Sequence, residues 1–533
     1  MNFEVATRGA SATAVELFVP ELVRERIASR VFAKDHTIWG AEAEAESSIR
    51  LGWVDAARQS LELLPELSAL RTEHQGKGLS RIVLCGMGGS SLAPEVIAAT
   101  AGVELVVLDS TYPSQVSAAL SKDLGRTIVV VSSKSGSTVE TDSQKRAFED
   151  AFDRAGIDKI ERIIIVTDPG SPMQKQATVD GYRTFLANPS VGGRFSALTA
   201  FGVVPSMLAG VDMQPILSDA IAAAEVLCRD EPGNPGLVLG AAMARSASSN
   251  GFKDKMGIVP VSNQIVGLGD WMEQLIAEST GKIGRGVLPI VLDSDSPELK
   301  TLADDFLTVG IVDKVSESNF DVAVSGPLGS QLLLWEVSTV VAAKLLGVSP
   351  FDQPDVESAK VASRAFLENK SANQSSLFTE SGIEVFARNL DLGPSSTLRE
   401  ALRLFLASAD KDSYFAIHAY LDRNRDVAYE KFRDVIASIS VRPTTFGWGP
   451  RFLHSTGQYH KGGPAQGFFL QLIGAEEEDI PVPGRDFGFA ELMNAQAAGD
   501  ANVLSSAGRP VLTLRFADKE NALALIQELI EAN

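Results

Sequence analysis

The sequence predicts an α/β protein with two αβα sandwich domains built on parallel sheets, followed by a C-terminal α/β region. Its 533 residues are more than one hydrophobic core usually organises. Short β-rich runs alternate with helical segments from Arg81, and a second alternation begins at Lys255. Between the two blocks, residues 230–236 contain two prolines and two glycines, which is typical of a linker.

The first elements in the chain are helical. Residues 1–75 are predicted to form a helical N-terminal segment, with Pro20 and Pro65 at breaks or first turns. The first sandwich domain is expected over residues 76–229. Its predicted strands are Ile82–Leu84, Leu105–Leu108, Thr127–Val131 and Arg162–Val166. Apolar runs of this length with helices between them indicate a parallel sheet covered on both faces.

The second sandwich domain is expected over residues 236–375, and the C-terminal region over 376–533. The second domain has predicted strands Gly257–Val261, Val287–Leu292 and Phe320–Val324, and predicted helices over 268–279, 297–307 and 329–347. The C-terminal region has predicted strands Tyr414–Ala419, Phe468–Leu472 and Val511–Leu514, and predicted helices over 424–437 and 519–531. The glycine-rich segment Arg442–Gly467 is predicted to be a long functional loop.

Composition narrows the range of partners. Lys plus Arg is 48 and Asp plus Glu is 68, so the net charge is -20, which argues against nucleic acid and anionic membranes. The two cysteines, Cys85 and Cys228, exclude a disulfide framework and suit a reducing compartment. The start has no signal-peptide pattern, and the apolar run Leu332–Val348 contains Glu336 and Lys344 and is better explained as a buried helix. A cytoplasmic location is therefore expected.

The segment 269–282 is predicted to be an amphipathic helix that ends in a glycine turn. Gln274 and Glu278 are four residues apart, so both side chains lie on one helix face. Glu278 is in the last turn, at the negative end of the helix dipole, where a carboxylate gains no stabilisation. In a suitable site it would serve as a general base, whereas in isolation a solvated surface glutamate is the commoner explanation.

Two loops of the first domain could hold an anion. In Gly86–Ser90 a strand ends in a glycine cluster before a helix, but the spacing is not that of a dinucleotide fingerprint, and a plain turn explains it equally well. In Ser132–Thr141 five hydroxyl residues, one lysine and one glycine within seven positions precede a helix. A helix N-cap needs only one hydroxyl, so the surplus favours a phosphate site.

Three further segments contain candidate residues. Arg194 follows two glycines and could stabilise an oxyanion, although a surface arginine is the alternative. Lys360 lies in the helix that Asp355 could cap, where a lysine usually faces solvent. His454 and His460 lie within seven residues in the glycine-rich loop. Their spacing matches no standard metal-ligand pair, so acid–base or hydrogen-bonding roles are favoured over a metal site.

In combination these motifs resemble the glucose-6-phosphate isomerase family, whose members contain two sugar-isomerase (SIS) domains. The resemblance covers about residues 80–360, and each segment is modest on its own, but the order is specific. The matching segments are Gly86–Ser90, Ser133–Thr141, Gly192–Ser196, Gln274–Lys282 and Phe351–Lys360.

The resemblance implies interconversion of glucose 6-phosphate and fructose 6-phosphate in glycolysis and gluconeogenesis, by a homodimer without metal or organic cofactor. Glu278 would move a proton between C1 and C2 through a cis-enediolate, Arg194 would stabilise that enediolate, and Lys360 would assist ring opening. The residues implied in binding the sugar phosphate are Gly89, Ser90, Ser133, Lys134, Ser135, Thr138, Gly193, Gln274 and Gln353.

The chain departs from the family pattern at one point. The family's usual ring-opening histidine lies between the Glu and Lys motifs and comes from the neighbouring subunit, but no histidine occurs between Glu278 and Lys360. The arrangement resembles the type of isomerase that also occurs fused to a transaldolase. Either His454 or His460 could replace the missing residue, and the sequence does not choose between them.

Two alternative functions remain open at the level of sequence. One is another SIS-domain enzyme acting on a sugar phosphate, such as a phosphomannose or amino-sugar phosphate isomerase. The other is a non-catalytic sugar-phosphate sensor. The presence of both Glu278 and Arg194 favours an enzyme, and the acidic composition gives no support for the DNA-binding domain that sensors of this fold often contain.

Overall fold

The chain forms three main β-sheets with helices packed on their faces, which confirms the predicted α/β class. The computed structural model describes residues 3–355, 362, 366–367, 375–475 and 478–531. Most neighbouring strands are parallel. Across these described residues, no helix is long and apolar enough to cross a membrane.

The first sheet contains five parallel strands. Their spatial order is Val106–Leu108, Arg81–Gly86, Thr127–Ser132, Ile163–Thr167 and Arg183–Leu186. The three central strands are buried along their whole length, because helices cover both faces of the sheet. The four predicted strands are present. The fifth, at the edge, was not predicted, because three of its four residues are polar or exposed.

Helices alternate with these strands along the chain. They are Leu92–Thr100, Pro113–Ser121, Val139–Arg154 and Pro172–Asp180, followed by Ala200–Ala209 and Met213–Leu227. The N-terminal segment forms the helices Gly9–Arg24, Ile27–Phe32, Glu44–Ser47, Ala56–Ser60 and Leu64–Gly76. The last two pack against Met213–Leu227 and Ala200–Ala209, whereas Gly9–Arg24 packs against the later helix Pro235–Arg245.

The second sheet also has five strands. Their order is Glu4–Thr7, Val322–Ser325, Phe306–Ile311, Lys255–Pro260 and Leu288–Val291. Only Glu4–Thr7 runs antiparallel to its neighbour. The N-terminal segment, predicted to be helical, therefore begins with a strand that completes the second sheet.

The prediction of a helix over residues 297–307 is wrong. Only the 3₁₀ turn Pro297–Leu299 forms, and the chain then enters strand Phe306–Ile311. This strand is fully buried and pairs with both Lys255–Pro260 and Val322–Ser325, so sheet pairing outweighs the helical start that Pro297 suggested. The predicted strand at 320 begins at Val322.

The helices of the second domain are Pro235–Arg245, Leu268–Thr280 and Leu328–Leu346. Leu328–Leu346 is buried on nearly every face, which confirms the prediction of a buried helix for this apolar run. One hydrophobic core continues from Ile82 and Leu84 in the first sheet to Met256 and Ile258 in the second. The two sandwiches therefore pack against each other, and the boundaries at 229 and 236 stay predictions.

The C-terminal region forms a six-stranded mixed sheet. Its order is Phe378–Glu380, Ile383–Arg388, Val511–Phe516, Gly467–Gly474, Tyr414–Tyr420 and Thr444–Trp448. The helices are Leu398–Ala407, Lys431–Ser440, Gly457–Gly462, Phe489–Ser506 and Lys519–Glu531. The three predicted strands are present, but the predicted helix over 424–437 begins as the 3₁₀ turn Val427–Glu430. The predicted loop 442–467 contains a strand and a helix.

A buried network of ion pairs connects the C-terminal region to the rest of the chain. Arg451 contacts Asp109 at 2.7 Å, Glu95 at 2.6 Å and Asp270 at 3.3 Å, and its side chain is 10% exposed. These carboxylates hold the pKa of Arg451 above its ordinary value despite burial. The network fixes the start of the segment that contains both candidate histidines.

Replacing Arg451 with Met is expected to destabilise the protein strongly. The substitution removes the cation that lies 2.6 Å from Glu95 and 2.7 Å from Asp109 and leaves them only Arg423, at 2.9 and 3.6 Å. Breaking a buried pair in this way costs about 3–5 kcal/mol. The apparent free energy of unfolding in urea measures the loss. Arg425→Met is the matched control, because Arg425 is 66% exposed and lies 3.8 Å from Asp422. Equal unfolding midpoints for the two variants would contradict the account.

Candidate active site

A cleft of about 570 Å³ lies between the first sheet and the helix Leu268–Thr280. The chain reaches it just after strands of the first sheet end, at Met87, Ser133 and Asp168, which is where parallel sheets place their ligands. Twelve of the predicted site residues line the cleft: Gly89, Ser90, Ser133, Lys134, Ser135, Thr138, Gly193, Arg194, Gln274, Glu278, Gln353 and His454.

Arg194 and Glu278 meet inside the cleft. The Nη1 atom of Arg194 is 3.3 Å from Oε1 of Glu278, and the two side chains are 4% and 6% exposed. The Nε2 atom of Gln274 donates to the other carboxylate oxygen at 3.0 Å, as their four-residue spacing on one helix face predicted. The carboxylate is therefore held in one orientation by two donors.

Arg194 also holds the segment 350–353. It donates to the Gln353 side chain at 2.7 Å and to the backbone carbonyls of Pro350 and Asp352, each at 2.9 Å. Lys282 supports the same segment through the Ser349 and Asp352 carbonyls and the Asp352 carboxylate. Burial and the nearby Arg194 lower the pKa of Lys282 to about 8.

Two glycine loops approach each other closely at the rim of the cleft. A Cβ atom placed on Gly89 would lie 2.0 Å from the Gly193 carbonyl oxygen. No side chain fits at Gly89 without displacing the turn that leads to Arg194. The glycine cluster is thus required by a backbone contact between the two loops.

The serine-rich loop forms a cradle of hydroxyl groups before the helix Val139–Arg154. The Ser133 hydroxyl lies 3.1 Å from that of Thr138 and accepts the Gly136 N–H at 3.2 Å. Gly136 has a φ of 66°, a left-handed conformation that favours glycine. The Ser135 hydroxyl accepts from the Ser137 side chain and backbone. Hydroxyls and a helix N-terminus of this kind suit an anion.

Sequence reasoning missed three charged residues of the cleft: Glu46, Arg50 and Asp168. Asp168 pairs with Lys134. Arg50 contacts Glu46 at 3.0 Å. Asp168 follows a predicted strand and could have been found from that position. Arg50 and Glu46 lie in the helical N-terminal segment, far from any motif, and no pattern in the sequence singled them out.

His454 lines the cleft and reaches the serine-rich loop's helix. Its Nε2 atom is 2.9 Å from Oε1 of Glu140, which also accepts from Nε2 of Gln496 at 2.6 Å. A carboxylate accepts hydrogen bonds, so Nε2 carries the proton and Nδ1 is the nitrogen able to accept one. Glu140 belongs to the predicted phosphate motif, but its contact with His454 was not foreseen.

His460 lies outside the cleft. It is 1% exposed, its Nδ1 is 3.0 Å from the Tyr414 hydroxyl, and it packs among His418 and Phe469. Burial holds its pKa well below the ordinary value, so the ring is neutral. Of the two histidines that the sequence left open, the structure brings only His454 to the predicted site.

Lys360 lies outside the residues that the structure describes, so its predicted role stays a prediction. No set of three or more His, Cys, Asp or Glu side chains in residues 3–355, 362, 366–367, 375–475 and 478–531 is arranged to hold a metal ion.

Comparisons with known proteins agree with the motifs. Residues 66–287 match the family model described as phosphoglucose isomerase. A probable glucose-6-phosphate isomerase of Haloarcula marismortui is 27% identical over 354 residues, which cover 56% of this chain and 80% of that protein. A glucose-6-phosphate isomerase of Gloeothece citriformis is 33% identical over 210 residues, which cover 38% of this chain and 40% of that protein.

Among solved structures, a hypothetical protein from Thermus thermophilus aligns with a TM-score of 0.57 at 24% identity. The alignment covers 69% of this chain and all of that one, and supports the fold. The predicted resemblance to the glucose-6-phosphate isomerase family, and with it the isomerase class of enzyme, is confirmed.

Replacing Gly89 with Ala is expected to lower stability by about 1–3 kcal/mol, since an overpacked contact forces backbone shifts. Gly192→Ala is the matched control, because its Cβ would meet nothing closer than 3.8 Å. Thermal unfolding of both variants measures the difference. If Gly89→Ala melts at the wild-type temperature, the loop contact does not constrain the site.

Proposed function

We propose that this chain interconverts glucose 6-phosphate and fructose 6-phosphate in the cleft, through a cis-enediolate. The proposal rests on the buried ion pair between Arg194 and Glu278, 3.3 Å apart, in a cleft that also contains the hydroxyl cradle. An aldose–ketose isomerase needs an anion anchor, a carboxylate that reaches C1 and C2, and a donor for the enediolate. The cleft offers a candidate for each.

The phosphate group is bound by the serine-rich loop. The hydroxyls of Ser133, Ser135 and Thr138 surround the approach to a helix N-terminus, where unpaired N–H groups favour an anion. This contact is remote from the reacting carbons. Its binding energy therefore holds C1 and C2 against the base.

Glu278 acts as the base. It removes the proton from C2 of the open-chain aldose, and the C–H electron pair forms the C1–C2 double bond of the enediolate. The hydroxyl proton then passes from O2 to O1 as the C2–O2 bond becomes the ketose carbonyl, and the carboxylic acid of Glu278 returns its proton to C1. Gln274 fixes Oε2 of the carboxylate, and Oε1, which faces Arg194 in the resting site, is the oxygen that takes the proton.

Arg194 stabilises the negative charge before and after the proton is transferred. In the resting site its Nη1 faces the Glu278 carboxylate, and after proton transfer the negative charge lies on the enediolate oxygens instead. A guanidinium held by Gln353 and two carbonyls stabilises that charge without reorganising.

His454 assists ring opening, with Glu140 as the residue that fixes its tautomer. Both residues belong to the same chain, so this step does not require a histidine from another subunit. Assistance from Lys360 and assembly as a homodimer are part of the proposal through the family resemblance alone.

Replacing Glu278 with Gln is expected to lower kcat by about 10²–10⁴-fold with little change in KM, since an amide cannot take the proton. A coupled assay that detects glucose 6-phosphate formed from fructose 6-phosphate measures this. Glu273→Gln is the matched control, because Glu273 is on the same helix but outside the cleft. Near-normal turnover of Glu278→Gln would remove Glu278 from the mechanism.

Replacing His454 with Gln is expected to slow the cyclic substrate by about 10²-fold or more and an acyclic one much less. A tetrose 4-phosphate serves as the acyclic substrate, because its phosphate blocks the hydroxyl that would close the ring. His36→Gln is the control, since His36 is 41% exposed and paired with Glu44. Equal losses on both substrates would argue against a ring-opening role.

A further inference from the structure

The charges that line the cleft are already paired before any ligand binds. Arg50, Lys134 and Arg194 each contact one of the four lining carboxylates, which are Glu46, Asp168, Glu278 and Asp352. A sugar phosphate brings a dianion into this balanced set. Neutral hydroxyls and a helix N-terminus compensate two negative charges only in part, so a cation that turns from its carboxylate to the phosphate would strengthen binding.

Arg50 is the cation that is most easily released. Arg194 is 4% exposed and is held by several donors and acceptors at once. The Lys134–Asp168 pair is 20% and 16% exposed. Arg50 contacts Glu46 at 3.0 Å, with side chains that are 26% and 42% exposed, and its Nη1 donates to the Pro189 carbonyl at 3.4 Å. A partly exposed pair of this i, i+4 type is worth little to the fold.

The backbone of Arg50 is fixed even though its side-chain pair is weak. Leu51 forms a bridge with Val191, and the N–H of Gly52 donates to the Ser190 carbonyl at 2.9 Å. The segment 188–191 leads directly into the loop of Arg194. A change of partner by Arg50 would therefore be a rotation of its side chain, which lines the same cleft as the hydroxyl cradle.

The charge of Arg50 affects the pKa of cations at two places in the cleft, Lys134 beside the hydroxyl cradle and Arg194 beside Glu278. Burial is the main cause that lowers the pKa of Lys134, next to the phosphate cradle, and Arg50 adds to it. The pKa of Arg194 is likewise lowered mainly by burial and, to a smaller extent, by Arg50. The guanidinium, which lines the same cleft, thus acts electrostatically on both Lys134 and Arg194.

We propose that Arg50 leaves Glu46 and binds the phosphate group when a sugar phosphate enters the cleft, and that it determines the preference for phosphorylated over neutral sugars. Glu46 holds the guanidinium in the resting state and competes with the phosphate for it. This inference deepens the proposed function and rests on it for the identity of the ligand.

The test compares Arg50→Gln, Arg50→Lys and Glu46→Gln with the control Arg58→Gln, an exposed arginine outside the cleft. For each, kcat and KM are measured with fructose 6-phosphate, together with inhibition by inorganic phosphate and the rise in melting temperature that phosphate causes. Arg50→Gln is expected to raise KM and the phosphate inhibition constant about 10–100-fold with kcat nearly unchanged, since a charge-assisted hydrogen bond is lost.

Glu46→Gln gives the decisive contrast. If Glu46 competes with the phosphate, this variant leaves KM and the inhibition constant unchanged or lowers them. If the ion pair only supports the fold, Glu46→Gln and Arg50→Gln weaken binding alike, and the proposal fails. Unchanged constants in Arg50→Gln also overturn it. Should Arg50→Gln not fold, Arg50→Lys decides, because a lysine keeps the charge but loses the bidentate geometry and is expected to give an intermediate constant.

A failure of the proposed function is distinguishable from a failure of this inference. If the wild type does not isomerise fructose 6-phosphate but phosphate still raises its melting temperature, loss of that rise in Arg50→Gln supports Arg50 and overturns the isomerase. If phosphate has no effect on the wild type in either assay, the role of Arg50 is overturned.

Discussion

The guanidinium of Arg194 lies where three parts of the chain converge, and its burial constrains all of them. A buried cation requires partners, and Arg194 finds them in Glu278 and in the segment 350–353. The loop that presents Arg194 can lie there only because Gly89 has no side chain. The charge of Arg194 thus constrains three features of the site. They are the position of the candidate base, the glycine-rich turn and the start of the motif that contains Lys360.

The C-terminal region completes the cleft rather than merely following it. Arg451 fastens the region to both sandwich domains, and Gln458 bonds to the Gly281 carbonyl and to Asp355. These contacts bring His454 to Glu140. A histidine distant in sequence from the other motifs can therefore occupy the cleft from within the same chain.

The sequence identified cleft residues where a motif contains a side chain suited to a catalytic role. Glu278, a possible base, and Arg194, a possible oxyanion donor, are examples, and both line the cleft. The sequence could not choose between His454 and His460, because the choice depends on how the helix Gly457–Gly462 packs against the third sheet. It gave no sign of Arg50, whose position results from a backbone bridge to residues 140 positions away. The strand Phe306–Ile311 was misjudged because pairing at the centre of a sheet, a non-local interaction, outweighed local helical signals.

In the proposed reaction a carboxylate in this cleft isomerises a sugar phosphate by moving a proton. The most direct test is to equilibrate fructose 6-phosphate with the enzyme in D₂O over many turnovers and to locate deuterium in the sugar by NMR. The account predicts deuterium at C2 of glucose 6-phosphate and at C1 of fructose 6-phosphate, because the acid formed by Glu278 exchanges with solvent. Isomerisation that leaves both carbons free of deuterium would indicate a hydride shift and contradict the account.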